Sequence, residues 1–141
     1  MGIMRSISQT VRAYTLYKEE RLSVYGLSGN QSLYLRTIIQ KPGITQEELA
    51  ERLVFNKSSV SRQIAAMEKA GLIRQERRET DKRNLHIFAT PEGEALEGVI
   101  LETARDFFNL ITEGMSPEEK SSLDALCQKI CVNAKEAIRK K

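Results

Sequence analysis

Residues 45–89 decide how this chain folds, and they run TQEELAERLVFNKSSVSRQIAAMEKAGLIRQERRETDKRNLHIFA. Thr45 and Glu48 have the spacing of a capping box, in which the hydroxyl accepts the amide of Glu48 and the carboxylate reaches back. This signal predicts a helix from Thr45 to about residue 53. The next residues, 54–56, predict a short turn that ends at Asn56, a favoured helix cap.

A second helix is predicted from Asn56 onward. Val60, Ile64 and Met67 have the spacing of one buried helical face, and Gly71 is placed to end the helix in the left-handed conformation.

Two short strands are predicted next, at about 72–77 and 84–89, around a polar tip at 78–82. In the second strand, apolar residues Leu85, Ile87 and Ala89 alternate with His86 and Phe88. A lone histidine on such a strand has a structural rather than a catalytic role.

Helices are also predicted on both sides of this stretch. An amphipathic helix carries a stripe formed by Ile7, Val11, Tyr14, Lys18, Leu22 and Tyr25. The helix after it carries Gln31, Tyr34, Leu35, Ile38 and Ile39, and ends at Lys41-Pro42-Gly43. Beyond the strands, one long helix runs from Thr90-Pro91-Glu92 to Gly114, and another begins at Ser116-Pro117.

The resulting order predicts a mainly α fold with a small β-ribbon (α+β). A helix, a three-residue turn, a helix and a two-stranded ribbon form a winged helix-turn-helix. The DNA major groove, about 12 Å wide, admits one such α-helix, and the tip of the ribbon reaches the neighbouring backbone or minor groove.

Charge is concentrated in this same stretch. The chain has a net charge of +3, whereas residues 52–83 hold nine basic and four acidic side chains, a net charge of +5. A basic segment inside an otherwise mildly acidic chain indicates a phosphate-binding surface.

Composition excludes most other classes. The 141 residues are 40% hydrophobic and 29% charged, as in a folded globular protein, and they include one histidine and two cysteines. We find no serine triad, paired-carboxylate motif, glycine-rich phosphate loop, metal site or cofactor motif, so we predict that the chain is not an enzyme. No membrane-spanning run or secretory signal is present, and a cytoplasmic protein is expected.

The two cysteines, Cys127 and Cys131, lie four residues apart on one helical face. Their Cβ atoms are about 6 Å apart there, too far for a disulfide within one helix. We interpret them as small hydrophobes on a buried face, with a redox-sensing role as the alternative.

Six fragments match, in order and spacing, the motifs of one known family: Leu27-Ser28-x-x-Gln31, 45–53, 56–62, 67–74, Asp81-Lys82-Arg83 and Thr90-Pro91-Glu92-Gly93. The chain thus resembles the MarR-type transcriptional regulators over nearly its whole length. It departs from them at Ala89, where leucine is usual, and at Ser32-Leu33, which replace an apolar-then-basic pair. Leu33 is therefore expected to point away from the core.

The resemblance implies a DNA-binding regulator. Residues with short hydroxyls or positive charge on the helix after Asn56 face the major groove, Arg83 enters the minor groove, and Asp81 stabilises the wing through an ion pair. The predicted DNA-binding residues are Lys57, Ser58, Ser59, Ser61, Arg62, Arg74, Arg77, Arg78, Asp81, Lys82 and Arg83.

A homodimer on a palindromic operator is also expected. Residues 28–90 form the winged helix-turn-helix core of a single domain, 1–141, and residues 1–25 and 91–141 form the dimerisation helices. The apolar positions of these helices continue to the chain ends, where Ala134, Ala137 and Ile138 sit beside basic residues.

Family resemblance further implies a small aromatic anion as effector, which releases a repressor from DNA. The candidate pocket residues are Tyr14, Tyr17, Arg21, Leu33, Tyr34 and Phe107. Two alternatives remain: a cysteine-based redox-responsive regulator, and a winged-helix protein-interaction module without DNA binding.

Overall fold

A computed structural model describes residues 2–140 of the chain. The helices are α1 (Gly2–Leu22), α2 (Gly29–Gln40), α3 (Gln46–Leu53), α4 (Lys57–Lys69), α5 (Pro91–Glu94), α6 (Glu97–Ile111) and α7 (Pro117–Arg139), with a 3-10 turn at Ser23–Tyr25. Strands β1 (Ile73–Arg78) and β2 (Asp81–Ala89) form an antiparallel hairpin. The predicted fold class, mainly α with a small β-ribbon, is confirmed.

Local capping signals set the beginnings of the helices. The Thr45–Glu48 capping box is present at α3, and a second capping box joins Ser116 to Glu119 at α7. Asn56 caps α4 by accepting the amide of Ser59 at 2.7 Å. Each cap satisfies backbone amides that a first helical turn leaves without an intrahelical acceptor.

The hydrophobic core lies among α2, α3, α4 and the hairpin. Val60, Ile64 and Met67 are all fully buried, as their spacing predicts. Gly71 ends α4 with φ at +81°, which is the expected left-handed conformation. Leu33 is partly exposed and Ser32 is buried, so the expected outward orientation of Leu33 is confirmed.

The segment between α2 and α3 pairs with the free edge of β2. The Gly43 amide donates to the Ile87 carbonyl at 2.8 Å, and the Ile87 amide donates to the Ile44 carbonyl at 2.9 Å. Ile44 and Ile87 are both buried at this bridge. The hairpin is therefore fixed by backbone hydrogen bonds to the loop that precedes α3.

The long helix predicted from Thr90 is interrupted. Residues 95–96 form a turn between α5 and α6, in which the Leu96 amide bonds the Gly93 carbonyl three residues back. Tight packing accompanies this break, because a Cβ on Gly93 would lie 2.1 Å from the Leu72 carbonyl oxygen. The helix is thus interrupted just after its first turn packs against the backbone of Leu72, at the entry to β1.

Helix α1 buries less than its amphipathic pattern predicts. Lys18 and Leu22 are its buried residues, whereas Val11 is 57% exposed. Tyr25, at the end of the predicted stripe, is also exposed. The predicted stripe is thus buried within this chain at Lys18 and Leu22, whereas Val11 and Tyr25 form part of an apolar surface.

The chain divides into two compact units, one ending at Phe107 and the other beginning at Phe108. Met1 and Lys141, which belong to the predicted dimerisation segments, lie outside the described residues. In the second unit, no residue of α7 is buried. Within the single chain, the expectation that Cys127 and Cys131 lie on a buried face is therefore not met, since both thiols are free and exposed.

Within residues 2–140, no helix is both long enough and apolar enough to cross a lipid bilayer.

The close approach at Gly93 gives a test of this packing. We expect Gly93→Ala to lower the free energy of unfolding by about 2 kcal/mol or more, because the new methyl group meets backbone that has to shift. Gly98→Ala is the matched control, since no atom lies within 4 Å of its added Cβ. That change should leave stability unchanged or raise it by up to about 1 kcal/mol. Urea unfolding monitored by circular dichroism measures both, and equal effects would contradict the packing described.

Candidate nucleic-acid interface

The start of α4 presents polar groups to solvent. Asn56 holds the first turn through the Ser59 amide, and Ser58 donates its hydroxyl to Asn56 at 2.8 Å. Lys57, at the first helical position, lies 3.6 Å from Glu47 in an exposed pair. The amino-terminal end of a helix carries partial positive charge and favours anions such as phosphate.

The outer face of α4 carries most of the residues predicted for base contacts. Ser58, Ser61 and Arg62 are exposed, while Ser59 is half-buried. Arg62 donates to the Ser59 hydroxyl at 3.3 Å, which holds the guanidinium along the helix. The small hydroxyl side chains leave the backbone of this face open to close approach.

The hairpin carries a loop of three residues near its tip. Arg77 pairs with Leu85, but the next residue, Arg78, pairs with Asp81. Residues 82–84 therefore have no partners on β1 and loop out of the ladder. Arg77 donates to the Lys82 carbonyl at 2.7 Å, which fixes one side of this loop.

Asp81 organises this loop through a side-chain hydrogen bond and a close approach to His86. Its carboxylate accepts from the Asn84 amide group at 3.3 Å, and Nε2 of His86 lies 3.4 Å away. The bond from Asn84 lowers the pKa of Asp81 most, with further lowering by the Arg83 backbone amide and by His86. Asp81, which was expected to stabilise the wing through an ion pair, thus lies beside Asn84 and His86, and no ion pair between Asp81 and Arg83 is seen among the described residues.

A cleft of about 330 Å³ joins α3, α4 and the loop. Its lining residues come from the start of α3, the start of α4 and the tip of the hairpin: Thr45, Gln46, Glu47, Lys57, Arg77, Arg83, Asn84 and Leu85. Three cationic side chains face one acidic side chain in this space. The arrangement is suited to an extended anionic ligand such as a phosphate backbone.

Two of the predicted basic residues lie elsewhere on the hairpin. The guanidinium groups of Arg74 and Arg78 lie 4.6 and 5.1 Å from the ring centre of Phe88. Arg74 also pairs with Glu76. Because alternate residues of a strand face opposite sides, Arg74 and Arg78 share a face that Arg77 does not. The basic residues of the hairpin are thus divided between two faces.

Comparison with known proteins identifies the family. The family model for the MarR family matches residues 25–84, from the end of the 3-10 turn to the hairpin loop. The transcriptional regulator HosA of Escherichia coli O157:H7 is 31% identical over 104 residues, covering 74% of this chain and 77% of HosA. This chain belongs to the MarR family.

Other MarR-family likenesses extend over more of the chain. The uncharacterized HTH-type transcriptional regulator YybA of Bacillus subtilis strain 168 is 28% identical over 131 residues, covering 93% of this chain and 87% of YybA. A putative MarR family regulator from Listeria monocytogenes, solved with a 26mer DNA, has a TM-score of 0.91 at 26% identity. That likeness covers 95% of this chain and 89% of the Listeria chain.

These relatives are transcriptional regulators, and this MarR-family chain is a DNA-binding transcriptional regulator rather than an enzyme. The prediction of a winged helix-turn-helix regulator from residues 45–89 is confirmed.

Four of the six residues predicted for an effector pocket come together. Tyr14 stacks on Phe107 with ring centres 4.7 Å apart, and Tyr17 lies 5.1 Å from the same ring. Arg21 donates to the Tyr17 hydroxyl and forms an ion pair with Asp106 at 2.8 Å. These residues form a continuous aromatic cluster between α1 and the end of α6 in the first unit.

The other two predicted pocket residues, Tyr34 and Leu33, are not part of this aromatic cluster. Tyr34 is only 2% exposed and packs on Phe55, with ring centres 5.4 Å apart, so it belongs to the core. Leu33 is partly exposed on α2.

Sequence reasoning placed Lys18 on the apolar stripe of the first helix but did not include it among the pocket candidates. This lysine is only 7% exposed, and its ammonium group lies 4.2 Å above the ring of Tyr14. Burial lowers its pKa, and no hydrogen bond or ion pair to it is seen within residues 2–140. Its place on the apolar stripe of α1 is the sequence signal, since a charged residue there has to be buried or paired.

Proposed function

We propose that this chain binds palindromic operator DNA as a symmetric homodimer and acts as a repressor that a small aromatic anion releases. The observation that carries the proposal is the convergence of Lys57, Arg77 and Arg83 on one cleft beside the exposed face of α4. Support also comes from the Listeria relative, whose crystal structure contains DNA.

Helix α4 is assigned to the major groove. Its amino-terminal end carries Lys57, Ser58 and the cap, which suit a phosphate, and its outer face carries Ser61 and Arg62. Arginine pairs with two acceptors of guanine in the major groove, and serine bonds to either base or phosphate. Arg62 is therefore the main candidate for reading a base.

The loop 82–84 is assigned to the minor groove. Arg83 is exposed at its centre, and a narrow minor groove has a negative potential that attracts arginine. Arg77 and Lys57 line the floor between this loop and α4, where the phosphates that separate the two grooves would pass.

The homodimer is assigned to the terminal helices. Helix α7 has 23 residues and buries none of them, although Leu126, Ile130 and Ile138 recur along it. Helix α1 likewise exposes Ile3 and Val11. Amphipathic helices with an uncovered apolar side acquire stability by packing against a partner, and a second copy of this chain supplies a matching surface.

We propose a repressor because the proposed dimer occupies a long stretch of DNA. Two recognition helices about 34 Å apart meet successive major grooves on one side of the duplex. A dimer of this span covers about two helical turns and excludes other proteins from that DNA.

Base reading and phosphate binding are separable by variants on α4 and the loop. We expect Arg83→Ala to weaken binding to all duplexes and to lower the salt slope of the affinity by about 1. Arg62→Ala should instead reduce discrimination at one base pair by about 1–3 kcal/mol. Lys69→Ala, at the opposite end of α4, is the charge-matched control and should leave discrimination unchanged. Fluorescence anisotropy on a selected duplex and its base-substituted versions measures these effects. Uniform losses for Arg62→Ala across all duplexes would refute base reading by α4.

The dimer interface is tested on α7. We expect Ile130→Glu to convert the dimer to a monomer and to weaken DNA binding by more than about tenfold, because a buried unpaired charge destabilises the interface. Gln128→Glu adds the same charge on the opposite side of the helix and should leave the dimer intact. Sedimentation velocity gives the oligomeric state, and a monomeric wild-type chain at micromolar concentration would rule out the proposed assembly.

The effector proposal rests on the aromatic cluster beside Lys18. Tyr14 and Phe107 offer aromatic surface, while Lys18 is a buried cation without an anionic partner among the described residues. Arg21 already binds Asp106, so an anion that uses Arg21 has to displace that carboxylate. Release from DNA then requires that the anion bind one conformation of the regulator better than the other.

Calorimetric titration of salicylate into the free protein and into its DNA complex tests this regulation. We expect the two affinities to differ by a factor of about 5 to 150, as linkage requires for an effector. Arg21→Ala and Lys18→Met should both weaken binding, and Arg105→Ala on α6 is the control. Equal affinity of salicylate for the free and DNA-bound protein would rule it out as a releasing effector.

A further inference from the structure

His86 occupies a buried position at the junction of the hairpin and the α2–α3 segment. Its residue is 8% exposed, and Nδ1 lies 2.8 Å from the carbonyl oxygen of Gly43. A carbonyl only accepts hydrogen bonds, so Nδ1 carries the proton and donates it. The other ring nitrogen, Nε2, is then a bare acceptor in the neutral imidazole.

Nε2 has no hydrogen-bond partner within the described chain, although it is fully buried. The atom that faces it is Oδ2 of Asp81, at 3.4 Å. In the neutral ring, two acceptors oppose each other without a proton between them. Protonation of Nε2 supplies that proton and turns the contact into a charge-assisted hydrogen bond, which is stronger than a neutral one.

The charged groups around His86 come from three elements. Asp81 faces the ring from β2, and Glu76 pairs with His86 across the hairpin from β1. Arg78 of β1 lies against Gly43. On the α2–α3 side, Lys41 and Glu48 form an ion pair with each other. Of these groups, the Asp81 carboxylate is the one in ion-pair range of the ring, and its lowered pKa favours its ionised form.

Asp81 links the ring to the DNA-binding loop. The same carboxylate accepts a hydrogen bond from the Asn84 side chain, and the backbone amides of Arg83 and Asn84 also lower its pKa. We propose that His86 is a pH-sensitive latch: once protonated, it joins Gly43 to Asp81, fixes the loop 82–84 and thereby raises the affinity for DNA. The proposal rests on the assignment of this loop to DNA in the preceding section.

Affinity for DNA should therefore increase as pH falls. We expect the wild-type chain to bind its selected duplex about 3- to 10-fold more tightly at about pH 6 than at about pH 7.5, at constant ionic strength. His86→Gln should lose this pH dependence, since the glutamine amide donates to Asp81 at either pH. Asp81→Asn should also lose it, because its amide donates to the neutral ring. An undiminished pH dependence in both variants would overturn the latch.

The loop itself provides the control for a general charge effect. If protonation acted only by adding positive charge near DNA, Arg83→Ala would keep the full pH dependence. The latch instead acts by fixing the position of Arg83. The Arg83→Ala variant should therefore lose most of the pH dependence. Retention of the full effect in Arg83→Ala would contradict the proposal.

Nuclear magnetic resonance tests the latch without DNA. The chain contains one histidine, so the ring nitrogen signals are unambiguous. We expect a proton on Nδ1 and none on Nε2 at about pH 7.5, and a titration shared by the ring and by the amides of Arg83 and Asn84. Neutral His86 with its proton on Nε2 would overturn the proposal. If the chain shows the expected titration but binds no duplex at any pH, only the proposed DNA-binding mode is refuted.

Discussion

The pairing of the α2–α3 segment with β2 is the constraint on which the rest of this structure depends. Two backbone hydrogen bonds, between Gly43 or Ile44 and Ile87, join the hairpin to the segment before α3 and add to the burial of Ile73 and Ile87 in the core. A two-stranded hairpin is at best marginally stable alone. The added backbone pairing and the burial of both isoleucines give the hairpin one orientation relative to α3 and α4.

That orientation produces the interface. Because the hairpin is fixed, Arg77 and Arg83 of the hairpin meet Lys57 of α4 at one cleft. The opposite face of the hairpin has a different task, since Arg74 and Arg78 cover Phe88 and His86 bonds Gly43.

Much of this fold could be predicted from sequence because its signals are local. Asn56, the Thr45–Glu48 pair and Gly71 act within a few residues of their own positions, and the structure shows each in its predicted role. The register of the hairpin loop could not be predicted, since it depends on how Asp81 bonds the residues that follow it. The burial of Lys18 beside Tyr14 depends on packing between distant segments, which periodicity alone does not describe. Exposure of Cys127 depends on what covers α7, and a single chain does not contain that information.

The central claim is that the attached hairpin and α4 bind DNA together, in adjacent grooves, on two half-sites. Hydroxyl-radical footprinting of the protein on a duplex selected from random sequence tests it most directly, because protection of the sugars reports minor-groove contact at each base pair. We predict two protected segments on one face of the duplex, one on each side of the two-fold centre. Each segment should flank one half-site, and the two half-sites should lie about 10 base pairs apart. Their protection should disappear in Arg83→Ala while the protein remains bound. A single protected segment, or minor-groove protection that persists without Arg83, would contradict the account.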